Sequence, residues 1–226
     1  AFVLFLAASM YNRAHSRTMS ERLSSDSQVV NWYLKNDARE RSSQLTLFAL
    51  NRDIAKYLDK SSKAEDEVPE KAKDEVRGAL REVNEQIDED FSFDAVFVVD
   101  QHGRVVAKVG YEQATPEGFE LGGYPVVADA LHGYIRDDTL VLDHLYRVVA
   151  RPVEYDVGQM PAGAIVGARI IDDRFARELS ARTGAAVAFF TQGKRVASGA
   201  PEGFDRSQLD QIVSDVLAFT QEQECH

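Results

Sequence analysis

Arginines recur at a fixed spacing along a predicted β-strand in the second half of the sequence. In the segment 140–153, Asp143, Arg147 and Arg151 lie four residues apart, so they share one face of a strand whose side chains alternate. Arg169, in the next predicted strand, comes close to that face if the two strands pair. A guanidinium group presents a planar fork that binds a carboxylate through two hydrogen bonds and keeps its charge. The pattern predicts a binding site for a small organic anion.

The same arginines allow a simpler interpretation. Arginine side chains on a half-buried sheet often point to solvent, and Asp143 and Glu154 are available as ion-pair partners. Tyr124 and His132 lie on a predicted helix that precedes the strand, and we expect them to close over the arginines. In the alternative interpretation, Tyr124 belongs to the core and His132 to an exposed helix end. The residues expected to line the ligand site are Tyr124, His132, Tyr134, Tyr146, Arg147, Arg151 and Arg169.

Two similar stretches of sequence predict the elements that surround this site. DAVFVVDQHGRVVAK and AAVAFFTQGKRVAS both have the pattern of strand, tight turn and strand, and PEGF follows each of them. A helical pattern then follows, so the order hairpin, PEGF, helix occurs at 94–134 and again at 185–219. This order favours an internal duplication over chance. The second copy lacks the later strands of the first, so we expect an incomplete second module.

The N-terminal part of the chain is dominated by helix-forming residues. Neither proline nor glycine occurs between residues 12 and 59, which predicts a single helix about 70 Å long. The segment 36–44 is polar nearly all round, which requires water or a polar neighbour. Apolar residues at helical spacing are expected to pack this helix onto a domain: Leu47, Leu50, Ile54 and Leu58.

Composition excludes several classes of protein. The formal net charge of −11, without a basic stripe, argues against nucleic acid as a partner. The only cysteine, Cys225, rules out an intrachain disulfide and a cysteine-rich zinc site. No G-x-S-x-G, H-E-x-x-H, Walker or dinucleotide-binding motif is present, so we expect no catalytic activity, no cofactor and no metal.

The apolar opening AFVLFLAASM predicts an association with a membrane. Its ten residues cover about half of the ~20 that a transmembrane helix needs, so we expect the outer end of a truncated transmembrane segment. The alternatives are the remnant of a signal peptide or the start of a buried helix.

The order of the elements carries a family resemblance. A long exposed helix, then FDAVFVVDQHGRVVAKVG, LYRVVARPVEY and GAIVGARI, resembles the Cache family of extracytoplasmic sensor domains over residues 20–220. The double form of sensor kinases, chemoreceptors and diguanylate cyclases is the most similar. The resemblance implies an α+β fold, in which the long N-terminal helix packs along a PAS-like antiparallel sheet of about five strands. It also implies a ligand pocket in the membrane-distal module. The Tyr/Arg/Trp/Asp pattern of the amino-acid-binding subgroup cannot be placed here.

Specific expectations follow for the domains and the sheet. We expect strand 94–100 to pair with 104–109, and 140–153 to pair with 162–171. We expect the end of a transmembrane segment at 1–11 and the long helix at 12–60. The membrane-distal module is expected at 61–184, and the start of an incomplete second module at 185–226.

The resemblance implies a sensory function. We expect the chain to be the periplasmic input domain of an inner-membrane receptor. It is expected to bind a small molecule, which the arginine pattern predicts to be a carboxylate, and to relay the binding signal through the long helix. Any catalytic output module would lie outside this chain. We also expect a homodimer through residues 20–45 in the full-length receptor. The alternative is a non-catalytic structural or protein-interaction ectodomain without a small-molecule ligand.

Overall fold

The structure of the chain is a computed structural model with two compact units. The residues that it describes are 6–8, 16–63, 70–87, 92–112, 119–155, 158, 160–192 and 194–204. The central unit comprises residues 37–142 and 146–170, and the terminal unit comprises residues 1–36, 143–145 and 171–226.

Helices and strands alternate in an α+β order. The helices are α1 Ser16–Ala49, α2 Arg52–Lys63, α3 Glu70–Gln86, α4 Pro125–Leu131 and α5 Asp173–Thr183. The strands are β1 Leu6–Ala8, β2 Ala95–Asp100, β3 Val105–Val109, β4 Arg136–Val141, β5 Leu145–Val153, β6 Gly163–Ile170, β7 Ala186–Thr191 and β8 Lys194–Gly199. None of the helices in these described ranges combines the length and the apolar character that crossing a bilayer requires.

The predicted single N-terminal helix is in fact two helices. α1 ends at Ala49, and α2 begins at Arg52. The side-chain oxygen of Asn51 accepts hydrogen bonds from the backbone N–H groups of Asp53, at 3.0 Å, and Ile54, at 3.2 Å. Asparagine in this role satisfies N–H groups that have no partner within the helix, so it favours a new helix start over continuation. The prediction of one continuous helix over 12–60 is therefore wrong at this point.

The central unit contains a five-stranded sheet with the order β3-β2-β6-β5-β4. β2 is antiparallel to both β3 and β6, and β5 is antiparallel to β6. The predicted pairings of 94–100 with 104–109 and of 140–153 with 162–171 are thus confirmed. However, a turn divides the segment 140–153 into the end of β4 and the whole of β5. Asp143 lies in this turn and is not on a strand face with Arg147, contrary to the sequence prediction.

Each face of this sheet carries its own hydrophobic core. One face packs against α1, α2 and α3, and we call it the helix-bundle face; the other packs against α4, and we call it the α4 face. Alternation along β5 and β6 assigns the residues to the two faces. Val149, Val153 and Ile165 lie on the helix-bundle face with Leu45, Phe48, Ile54, Leu58, Val76 and Leu80. Val148, Ala150 and Val166 lie on the α4 face with Val126, Val127 and Ala130.

A buried carboxylate stabilises the turn between β2 and β3. Asp100 is 1% exposed, and its Oδ1 accepts hydrogen bonds from the N–H groups of His102, at 2.9 Å, and Arg104, at 3.0 Å. Its Oδ2 accepts a hydrogen bond from Nε of Arg104 at 2.9 Å. Gly103 has a φ of 85°, and a Cβ there would lie 2.4 Å from Cα of Gly122. The VVDQHGRVV segment therefore has a structural role.

The terminal unit contains the three-stranded sheet β1-β7-β8 and α5. Asp172 caps α5 by accepting a hydrogen bond from the N–H of Phe175 at 2.8 Å, and Gly184 ends it with a φ of 72°. Close packing joins α5 to β8, because a Cβ on Gly199 would lie 2.2 Å from the carbonyl oxygen of Ala176. The division between units therefore falls at residue 171, and α5 does not belong to the first module as predicted.

The hairpins of the two units share an irregularity. The register of β2 with β3 shifts between Val98 and Val99, and that of β7 with β8 shifts between Phe189 and Phe190. When the two hairpin sequences are aligned, these positions coincide, which supports the proposed duplication. The second predicted helix, 205–219, lies outside the described residues. So does the predicted membrane segment 1–11 except for Leu6–Ala8. These residues form β1 and pair with Ala186–Ala188 of β7, so the prediction of a transmembrane helix is wrong at them.

The turn carboxylate generates a stability prediction. Replacing Asp100 by Ala leaves two backbone N–H groups of the turn without their acceptor, so we expect a loss of about 2–3 kcal/mol in the free energy of unfolding. Urea denaturation followed by circular dichroism measures this loss. Arg104→Ala is the control, because Asp100 keeps both backbone donors and we expect a loss below about 1 kcal/mol. Equal losses for the two variants would contradict this account of the turn.

Candidate ligand-binding site

Charged side chains from α1 and the sheet meet on the helix-bundle face of the central unit. We call Asp37 and Arg41 of α1, Arg147 of β5 and Arg169 of β6 the arginine cluster. Arg147 and Arg169 are direct Cα partners in the antiparallel pairing of β5 with β6, so their side chains leave the sheet on the same face. Asp37 and Arg41 are buried, with 7% and 3% exposure. The sheet register and one turn of α1 therefore bring three arginines to one aspartate.

Arg41 is held by three groups of different chemistry. Its Nε lies 3.2 Å and 3.1 Å from the two carboxylate oxygens of Asp37, one helical turn earlier. Its Nη1 donates a hydrogen bond of 2.7 Å to the carbonyl oxygen of Ser92. Its guanidinium carbon lies 5.9 Å from the ring centroid of Phe93, within the range of a cation–π interaction. Arg41 therefore connects α1 to the segment that precedes β2.

The two strand arginines lie closer to solvent. Nη2 of Arg147 is 3.2 Å from Oδ2 of Asp137, and the side chains are 12% and 50% exposed. Nη1 of Arg169, whose side chain is 18% exposed, is 3.9 Å from Oδ1 of Asp37. The second distance exceeds the usual length of a hydrogen bond, so charge rather than a short contact links Arg169 to Asp37.

The electrostatics of the cluster are governed by burial and by like charge. Burial is the main reason why the pKa values of Arg41 and Arg147 are lowered, and Asp37 opposes both shifts. Arg169 contributes to lowering the pKa of each of them. An arginine keeps its proton at neutral pH. The cluster therefore places three arginines beside the buried carboxylate of Asp37, with the exposed carboxylates of Asp94 and Asp137 also acting on them.

Arg151 lies on the same face but has a different role. Its Nη1 donates a hydrogen bond of 3.1 Å to the carbonyl oxygen of Ser42 in α1. The structure thus places the three predicted arginines on one face, as alternation implied, and packs that face against α1. The ion pairs described for the strand arginines are those of Arg147 with Asp137 and of Arg169 with Asp37.

Sequence reasoning missed the contribution of α1 to this cluster. The segment 36–44 was expected to need water or a polar neighbour, and the strand arginines are that neighbour. A signal was present, since Asp37 and Arg41 are spaced one turn apart, as an ion pair within a helix requires. Finding their strand partners required the position of α1 on the sheet.

The predicted aromatic residues lie elsewhere. Tyr146 precedes Arg147 on β5, so its side chain is on the α4 face, where it is 3% exposed and its ring centroid lies 6.2 Å from that of Tyr111. Tyr124 packs against the same core from the start of α4. Because the sheet separates these tyrosines from the arginines, the prediction that Tyr124 closes over Arg147 is wrong.

His132 and Tyr134 follow α4 and also lie away from the arginine cluster. His132 is exposed, and its Nδ1 lies 2.7 Å from the carbonyl oxygen of Ala128. Tyr134 is 68% exposed. The expected pocket of arginines and aromatic residues is thus not assembled. No group of three or more metal-ligating side chains occurs in the part of the chain that the structure describes.

Several solved structures are similar to this chain at low sequence identity. One is the sensor domain of the Vibrio cholerae histidine kinase DctB, with 16% identity and a TM-score of 0.43, covering 64% of this chain and 57% of that chain. Another is the Campylobacter jejuni chemoreceptor Tlp3 in complex with 4-methylisoleucine, with 17% identity and a TM-score of 0.41, covering 79% and 76%. A third is the Pseudomonas fluorescens chemoreceptor CtaA in complex with L-serine, with 16% identity and a TM-score of 0.42, covering 82% and 72%.

A family model matches the chain itself. No curated protein sequence matches the chain. The model of the CHASE4 domain matches residues 78–190, which is half of the 226-residue sequence. The match runs from α3 into β7, so it contains Arg147 and Arg169 but neither Asp37 nor Arg41. It confirms the sensor-domain identification made from the sequence. The chain therefore belongs to the CHASE4 domain family.

Proposed function

We propose that this chain is the extracytoplasmic input domain of a transmembrane signalling receptor, and that it binds a small anionic molecule. The observation that carries the proposal is the arginine cluster, in which three guanidinium groups surround one buried carboxylate. Membrane attachment and a catalytic or chemotactic output, both outside the described residues, belong to the same proposal.

The exposure of the cluster supports binding from one side. Arg41 is deeply buried, whereas the side chains of Arg147 and Arg169 retain 12% and 18% exposure. Asp137, the partner of Arg147, is half exposed, and an exposed ion pair is weak because water screens it. An anion that approaches beside β4 therefore reaches Arg147 first and replaces Asp137, whose ion pair with Arg147 is weak.

The position of the cluster suits the transmission of a signal. Asp37 and Arg41 belong to a 34-residue helix, which is about 50 Å long. A ligand shifts a conformational equilibrium only if its affinity for the two conformations differs. An anion bound to arginines of both α1 and the sheet meets this condition, because any displacement of α1 changes the distances between the binding groups.

Exposed apolar residues on α1 support the proposed dimer. Val29 and Trp32 are 45% and 67% exposed and lie three residues apart, so they share one side of the helix. Exposed apolar residues at this spacing are typical of a helix that packs against a second helix. We propose that the full-length receptor is a homodimer through residues 20–45.

One observation favours the alternative function. Arg41 donates to a backbone carbonyl and to a carboxylate, and Arg151 donates to a second backbone carbonyl of α1. In an interaction or structural ectodomain without a small-molecule ligand, these arginines would serve only to attach α1 to the sheet.

A ligand screen distinguishes the two functions. We expect a small anion from a panel of organic acids, amino acids, amines and purines to raise the Tm by roughly 5–10 °C at about 100 times its Kd. Differential scanning fluorimetry on the 226-residue chain measures the shift. An unchanged Tm across the whole panel would favour the structural or interaction ectodomain.

Substitution of Arg147 tests the location of the site. We expect Arg147→Gln to weaken binding of the anion found in the screen at least about tenfold, or ~1.4 kcal/mol, because a charge-assisted partner is lost. Stability without the anion should change little, since the substitution also removes like-charge repulsion with Arg41 and Arg169. Isothermal titration calorimetry measures the affinity. Arg136→Ala on β4, an exposed arginine paired with Asp129, is the control, and wild-type affinity in Arg147→Gln would contradict the site.

Cysteine crosslinking tests the dimer. We expect Trp32→Cys to form a disulfide between two copies of the full-length receptor in membranes, since this position faces the proposed partner helix. Lys56→Cys, at an exposed position of α2, is the matched control and should not crosslink, with Cys225 replaced by Ser in both variants. Equal crosslinking in both variants, or none in the Trp32→Cys variant, would contradict pairing through α1.

A further inference from the structure

We infer that α1 carries a heptad-spaced seam, and that this seam pairs in parallel and in register with α1 of a second copy of the chain. The inference rests on the proposed function, in which the receptor is a homodimer through this helix. It adds the orientation of the two helices, their register, and the side chains that set both.

Exposed residues of α1 recur at alternating steps of three and four positions. In a heptad written abcdefg, two helices meet through their a and d positions. Val29 and Trp32 begin the repeat as a and d, and Leu50 is the a position three heptads later. The backbone N–H of Leu50 still donates to the carbonyl oxygen of Thr46 at 2.9 Å, so the helical hydrogen bonding extends to this position. We call the exposed positions of the repeat the α1 seam: Val29, Trp32, Asn36, Arg39, Ser43 and Leu50.

The opposite side of the same helix is committed to the fold. The f positions of a heptad lie on the side of the helix opposite a and d. In α1 they are Leu34, which is partly buried, and Arg41 and Phe48, which are 3% and 0% exposed. One side of α1 is therefore buried within its own chain, while the α1 seam is exposed.

The two ends of the α1 seam are apolar although they face water. Trp32, the only tryptophan of the sequence, is 67% exposed, and Leu50 is 78% exposed. Leu47, an exposed e position, flanks Leu50. Single exposed apolar residues are common, but large ones at heptad-related positions of one helix are typical of a surface that a second helix covers. The ends of the α1 seam therefore supply the apolar contacts of the dimer.

Charges beside the α1 seam favour a parallel orientation. In parallel helices that are in register, a g position faces the e position of the next heptad on the other helix. Lys35 is a g position and Glu40 is the e position that follows it, and both are exposed. Lys35 of each copy thus meets Glu40 of the other, so two-fold symmetry forms the ion pair twice. In an antiparallel dimer, g positions face g positions, and Lys35 would not face Glu40.

The polar residue at the centre of the seam favours a single register. Asn36 is an exposed a position. Asparagine at an a position specifies register, because its amide pairs with the same amide of the other helix and not with an apolar side chain. A shift by one heptad would place Asn36 opposite Val29, and Arg39 opposite Trp32. The in-register arrangement therefore keeps polar residues with polar residues and apolar residues with apolar residues.

The middle of the α1 seam is its weakest part. In register, Arg39 at a d position lies beside Arg39 of the second copy, and like charges repel. Asp37 and Arg41, in the same turns of α1, contact Arg169 and the carbonyl oxygen of Ser92. Under the proposed function, a ligand therefore acts on α1 where the second helix holds it least.

Charge reversal tests the orientation and the register. The readout is the initial rate of disulfide formation by Val29→Cys in the full-length receptor in membranes, with Cys225 replaced by Ser. We expect Lys35→Glu and Glu40→Lys each to lower this rate at least about threefold, because like charges then face each other, and the double variant to restore it. A general effect of net charge would move the two single variants in opposite directions. Both positions are exposed, so the circular dichroism spectrum of the 226-residue chain should not change.

A second substitution tests the weak middle of the seam. We expect Arg39→Leu to raise the crosslinking rate at least about twofold, because an apolar residue at d replaces two like charges. Asn31→Leu is the matched control, since it adds the same side chain at an exposed c position of the same helix, and its rate should equal that of the wild type.

Several outcomes would overturn the inference. They are wild-type rates in both single reversals, failure of the double variant to restore the rate, or equal rates in Arg39→Leu and Asn31→Leu. If one of these occurs while a compound of the ligand screen raises the Tm, the α1 seam fails and the sensor function stands. If the double variant restores the rate while no compound of the screen raises the Tm, the α1 seam stands and the dimer belongs to the structural or interaction ectodomain.

Discussion

The register between β5 and β6 is the constraint on which the central unit depends. It places Arg147 opposite Arg169 on the face that α1 covers. Long cationic side chains beneath a helix are costly unless the helix supplies carboxylate and carbonyl oxygens. α1 supplies them through Asp37 and the carbonyl of Ser42, and its own Arg41 reaches the carbonyl of Ser92. A shift of β5 by one residue along β6 would turn Arg147 to the α4 face, among apolar side chains, while Arg169 stayed on the helix-bundle face.

This constraint divides the part of α1 in the central unit into two regions with different chemistry. Toward its C-terminal end, Leu45 and Phe48 pack in the apolar core with Ile165 and Val149. One to two turns earlier, Asp37 and Arg41 make polar contacts instead. Apolar packing is insensitive to small charged molecules, whereas the ion pairs respond to any anion that reaches them. Under the proposed function, a ligand acts on the helix at the polar region, while the apolar region keeps the fold.

Buried aspartates serve two purposes in this unit. Asp100 organises a turn by accepting hydrogen bonds from the backbone N–H groups of His102 and Arg104, so its role is fixed by local geometry. Asp37 is surrounded by guanidinium groups from three elements, so its role depends on tertiary packing. The distinction explains why the motif around Asp100 is prominent in the sequence, whereas the segment around Asp37 resembles an ordinary polar stretch of helix.

Local patterns in the sequence determined the strands, the antiparallel pairings and the caps of α5. Alternation, turn residues and capping residues act within a few positions, as Asp172 and Gly184 do at the two ends of α5. The same alternation already separates Tyr146 from Arg147, so a single pocket that contained both was excluded in principle by the sequence. The break at Asn51 had a local signal too, but an uninterrupted run of helix formers concealed it. Only the tertiary structure decided that Asp37 and Arg41 meet the strand arginines, and that α5 belongs with β7 and β8. Both depend on where a helix lies against a sheet, which is fixed by contacts between residues far apart in the chain.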